Sequence, residues 1–83
     1  DSVGWAYFAR KSYFKAKNFL EKAVELLPLD PIINDHYGDV LWMLNKDIQA
    51  RYIWGSVLKM EDAEQELKDN VEKKLIFGIK GHL

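Results

Sequence analysis

The chain has 83 residues, no cysteine and a net charge of −1 from 12 basic and 13 acidic side chains; 48% of it is apolar and 30% charged. Disulfides and thiolate metal sites are therefore excluded, no Lys/Arg field invites nucleic acid or an anionic membrane, and no apolar run approaches the ~20 residues that span a bilayer. One small domain with a thin core is expected, since a chain this short buries only about 60–65% of the surface it exposes unfolded.

Residues 1–10, DSVGWAYFAR, are apolar almost all round and read as a short helix packed on several sides. Asp1 to Trp5 look like the interior of a helix, so the chain is expected to be a piece of a longer protein, with any targeting segment elsewhere. Lys11-Ser12 interrupt this helix. From Tyr13 to about Leu27 the apolar residues Phe14, Phe19, Leu20, Ala23, Val24, Leu26 and Leu27 recur at helical spacing. Pro28-Leu29-Asp30-Pro31 then divides the chain. Two prolines three apart cannot lie inside one helix, because each lacks the ladder N–H. Pro31 suits a first turn, and Asp30 before it suits an N-cap. A third helix runs from Pro31 to about Leu44. Asn45, which tolerates the left-handed conformation, turns the chain into a fourth helix from Asp47 to about Lys59. Glu61-Asp62 offer a new N-cap for a fifth helix that reaches Phe77, with Gly78 and Ile79 placed to close it.

At an offset of thirty-four residues the two helical pairs match without a gap. Asp1, Gly4 and Ala16 fall on Asp35, Gly38 and Ala50; Phe19, Leu20, Ala23 and Val24 fall on Ile53, Trp54, Val57 and Leu58. A constant period of this length means stacked helix–turn–helix units. Gly inside a helix costs ~1 kcal/mol against Ala, so Gly4 and Gly38 are expected to mark close approach of a neighbouring helix. Ala16, Ala23 and Ala50 are expected at the same close contacts, with Trp54 among the large residues filling wider gaps. Residues 63–77 leave the pattern: Ala63, Leu67, Val71 and Leu75 form a narrow stripe, and the other faces carry charge, including Lys73 and Lys74. Glu64–Lys68 and Asp69–Lys73 are spaced as helical ion pairs. One apolar face on a solvated helix is what a terminal cap requires.

Val3-Gly4-x-x-Tyr7, Ala16-x-x-x-Leu20, Ala23 and Pro28 resemble a tetratricopeptide repeat, and Tyr37-Gly38-x-x-Leu41 with Ala50-x-x-x-Trp54 and Val57 resembles a second. The phrasing over about residues 1–62 is similar to the C-terminal repeats of long bacterial, mainly alphaproteobacterial, tetratricopeptide proteins. Lys11 stands where that family often has Gly, and Asp62 where the second closing Pro falls. The resemblance implies an all-α, right-handed helix-turn-helix solenoid of five helices. Repeat one covers 1–30 and is truncated at its start, repeat two covers 31–61, a capping helix 62–78 and a tail 79–83. The compartment, cytoplasm or cell envelope, stays open.

The same resemblance places the first helix of each pair on the concave surface. The candidate peptide-binding residues are then Asp1, Trp5, Phe8, Ile32, Asp35, His36, Asp39, Trp42 and Met43. Their aromatic and acidic character suits a protein or peptide partner that mixes basic and apolar residues. The places of the family's carboxylate clamp hold Asp1, Trp5, His36, Glu66 and Asn70, of which only Asn70 fits, so that mode is disfavoured. Catalysis is not expected. His36 and His82 are the only histidines, and no serine has a nucleophile elbow. Asp35, His36 and Asp39 share one helix face, but a polar groove wall explains them better than a metal site; no metal and no cofactor are expected. The expected function is a non-catalytic binding scaffold, with a purely structural cap as the alternative and an accessory module of an enzyme as a distant third. A repeat opened at its start exposes an apolar face, and weak self-association through residues 1–20 is expected from it.

Overall fold

The computed structural model describes residues 13–79. These form four α-helices and no strand: α1 Tyr13–Leu26, α2 Pro31–Met43, α3 Asp47–Val57 and α4 Gln65–Phe77. The helix expected over residues 1–10 would be the fifth; it lies outside the described residues, as do Asp1, Gly4, Trp5 and Phe8.

Local chemistry sets the first two joints. α1 stops before Pro28, since the residue preceding a proline is driven out of the helical region. Asp30 is extended, with φ −79° and ψ 115°, and caps α2. One of its carboxylate oxygens accepts from the backbone N–H groups of Ile32 and Ile33, both at 3.0 Å. The Asn34 side chain, almost wholly buried, donates back to the carbonyls of Pro28 at 3.1 Å and Asp30 at 2.9 Å. The joint is thus braced from inside the following helix. At the far end Asn45 takes φ +63°. The Lys46 N–H then reaches the Leu41 carbonyl at 2.9 Å and the Asn45 N–H that of Trp42 at 3.0 Å. That pair of bonds is the Schellman closure, which satisfies carbonyls a helix end leaves open.

The last joint departs from expectation. Neither Glu61 nor Asp62 caps α4, which begins at Gln65 after an extended Glu64 whose side chain makes no capping bond. The cause is tertiary: Ala63 is buried, 8% exposed, in the core formed by Leu41, Ala50, Trp54, Val57 and Val71. The chain must dip inward at Ala63 before a helix can start. Asp69 accepts a hydrogen bond from Gln65 at 2.8 Å, and among the described residues neither of the expected α4 ion pairs closes. Gly78 does close α4, with φ +72° and its N–H on the Lys74 carbonyl at 2.8 Å.

α2 is the middle element. Ile33 and Val40 pack against Ala16 and Leu20 of α1. Leu41 joins the second cluster, with α3 and α4. Tyr37 touches both clusters. Gly38 does mark a close approach, but to a side chain. A Cβ at Gly38 would lie 2.5 Å from both Cδ1 and Nε1 of Trp54. Trp54 therefore does not fill a wide gap; its indole sits directly against α2 at Gly38 and is fully buried.

The indole cannot retreat, so Gly38→Ala is expected to overpack the contact. That costs 1–3 kcal/mol, which exceeds the ~1 kcal/mol gained in helix propensity. The urea midpoint should fall, and fall further for Gly38→Leu. A midpoint that rises in either variant would contradict the tight seating of Trp54.

Candidate functional site

The residues expected on the inward face of α2 do not form an open acidic wall. Asp35 and Asp39, one helical turn apart, are 8% and 6% exposed. The ammonium of Lys74, from α4, lies between them at 2.6 Å from Asp35 Oδ1 and 2.7 Å from Asp39 Oδ1. Trp54 joins the same cluster by donating its indole N–H to Asp39 Oδ1 at 3.2 Å. The Lys74 ammonium also lies 5.5 Å from the centre of the Trp54 ring, within cation–π range.

A second layer surrounds this one. The rings of Trp42 and Trp54 are 5.6 Å apart and tilted by 30°. The Arg51 guanidinium sits 5.4 Å from the Trp42 ring and donates to the Leu75 carbonyl in the last turn of α4. On the other side a Cβ at Gly78 would lie 2.5 Å from Trp42 Cζ2, so the end of α4 closes directly onto that indole. Trp42 is thus half-buried packing between three elements rather than an open anchor.

The electrostatics follow from burial. The Asp39 carboxyl is pushed up to about 6, first by burial and then by the neighbouring Asp35 charge, with Lys74 pulling the other way. Burial also opposes the charge on Lys74, but the Asp39 and Asp35 carboxylates outweigh it and raise the ammonium above its ordinary value. His36, half-buried beside them, is held below its ordinary value chiefly by burial, against the pull of Asp35 and Asp39. Among the described residues no group of three or more His, Cys, Asp or Glu is arranged to hold a metal ion, and Lys74 stands where a cation bound by Asp35 and Asp39 would sit. No described helix is long and apolar enough to cross a membrane.

Of the described candidates, only Ile32 is exposed, at 53%. It lines an open pocket of about 240 Å³ between the N-terminal halves of α2 and α4, together with Pro31, Leu67 and Asn70. Asp62, Glu64 and Glu66 stand around it, all exposed. Lys74 is the residue that sequence reasoning assigned to a solvated face. Its signal was present: it sits beside Val71 and Leu75 on the packed side of α4, opposite an acidic i, i+4 pair that had no partner.

Asp39 yields a pH test with an unusual sign. Its folded value of about 6 lies above the ordinary 3.8, so the folded state binds the proton more tightly than the unfolded state does. The stability this contributes is complete below pH ~4 and lost as pH rises through about 6. Asp39→Asn does not titrate, so its stability relative to the native chain should improve by on the order of 1–3 kcal/mol between pH 4 and pH 7. Urea melts at both pH values check this, and a difference that stays flat or reverses would show that Asp39 ionises freely.

Comparison of this chain with family models, with curated proteins and with solved structures returns no match.

Proposed function

We propose that the chain is a non-catalytic protein- or peptide-binding module of tetratricopeptide type: two helix–turn–helix repeats stacked in a right-handed solenoid, closed by α4, at the C-terminal end of a larger bacterial scaffold. Burial at the thirty-four-residue offset supports the repeat. Ala16 and Ala50 are both fully buried, and so are Leu20 and Trp54.

The observation that carries binding is the open pocket at Ile32. Pro31, Ile32 and Leu67 give it an apolar floor, and Asp62, Glu64 and Glu66 give it an acidic margin with no ion pair among the described residues. The partner that fits is a segment placing an apolar side chain in the pocket with Lys or Arg alongside. The acidic attraction first assigned to Asp35 and Asp39 belongs here instead, because Lys74 already satisfies that pair. The same clasp favours a second reading, in which α4 is a structural cap that covers the inward face of α2 and binding occurs upstream.

An NMR titration with peptides that mix basic and apolar residues separates the two. The binding reading expects micromolar or weaker affinity, because so small a site must offset the ordering of a flexible peptide. Shifts should gather on Ile32, Leu67 and Asn70. Raising salt, or combining Glu64→Gln with Glu66→Gln, should weaken binding severalfold. Shifts absent from these residues would favour the cap.

A further inference from the structure

We propose that the outward face of α3 is a dimer surface, on which α3 of a second copy of this chain packs antiparallel about a two-fold axis. α3 turns Ala50, Trp54 and Val57 inward. At 3.6 residues per turn the opposite side is Ile48, Tyr52, Gly55 and, in the turn that ends the helix, Lys59. Ile48 is 86% and Tyr52 77% exposed, so the side that should be polar carries two large apolar groups in line. Gly55 is the second anomaly. Glycine inside a helix is unfavourable against alanine, and Gly38 and Gly78 each lie against a tryptophan ring that accounts for them. Among the described residues Gly55 has no such reason, since a Cβ built there meets none of them within 4 Å. It leaves a notch in the exposed face.

Ridge and notch belong to the same helix, and this points to a second copy as the occupant. In the antiparallel register that sets Tyr52 of each copy over Gly55 of the other, Ile48 meets the aliphatic stem of Lys59. Asp47, the adjacent residue, then brings its carboxylate near the same lysine. The two ends of the pairing therefore carry opposite charges, whereas parallel packing would set Lys59 against Lys59. An isologous contact needs this self-complementarity, each half supplying what the other lacks. A specific dimer covers about 800 Å² on each partner, and α3, an 11-residue helix about 16 Å long, does not provide that alone. Two grooves flank it and share Tyr52 and Ile53 in their walls. One of about 350 Å³ adds Tyr37 and Leu41; the other, of about 600 Å³, adds Leu29 and Met60. The larger groove also reaches Asp62, which borders the pocket at Ile32.

Sedimentation of the 83-residue chain from micromolar to millimolar concentration tests this. A reversible monomer–dimer equilibrium is expected. Tyr52→Lys and Gly55→Leu should each weaken it about tenfold or more, and Gly55→Leu should do so without lowering the thermal midpoint of the monomer, because leucine is the better helix former and the space is open. Lys59→Asp should weaken the dimer, and adding Asp47→Lys should restore it. A chain that stays monomeric throughout overturns the proposal. So does a dimer that survives Tyr52→Lys and Gly55→Leu, since it must use another face, such as residues 1–20.

Discussion

One ammonium group holds the described structure in register. Lys74 reaches from α4 between Asp35 and Asp39 of α2 and under the ring of Trp54, whose N–H bonds to the same Asp39 oxygen. Taking three charges out of water is costly, and a buried ion pair is not by itself a source of stability. What the cluster contributes is position. A slip of one residue along α4 that puts Leu75 opposite the two carboxylates would strand them, and one that puts Lys73 there would pull Val71 and Leu75 out of their packing. The rotation of α4, the seating of Trp54 on Gly38 and the closure of Gly78 onto Trp42 are therefore set together. Removing any one of these groups leaves the others with an unsatisfied charge or an empty space.

This clasp also divides the inward surface. The C-terminal half of α4 is locked down by Lys74, by the Arg51 bond to the Leu75 carbonyl and by Gly78. Its N-terminal half sets Glu66, Leu67 and Asn70 around the open pocket at Ile32. A partner that binds there meets a rigid floor and an exposed acidic margin. The side of α3 turned away from the clasp is apolar and notched, and the larger groove beside it meets the margin of the Ile32 pocket at Asp62.

The features legible in the sequence are those decided within a few residues. Asp30 and Pro31 start α2, and Asn45 ends it, because a missing N–H, a carboxylate cap and a left-handed turn are local chemistry. Helix spacing and the need for a glycine at position 38 were equally readable. The identity of what lies on Gly38 was not, since a small residue signals closeness without naming the neighbour. Asp35 and Asp39 read as an open wall because the lysine that covers them is 39 and 35 residues away in the chain. The start of α4 is not legible for the same kind of reason: the burial of Ala63 overrides a good capping pair at Glu61-Asp62. The thirty-four-residue period is visible, and its matched residues Ala16 and Ala50, Leu20 and Trp54 are all buried, but no local signal gives the partner.

Amide hydrogen exchange on the native chain and on Lys74→Met tests the clasp most directly. If Lys74 couples α4 to α2, the amides from Val71 to Phe77 in the native chain should exchange only with the global opening that also exposes α2 and α3. In Lys74→Met the same amides should exchange through a separate opening of lower free energy, while α2 and α3 keep most of their protection. Fast, independent exchange of α4 in the native chain, or full protection of α4 without Lys74, would contradict the account.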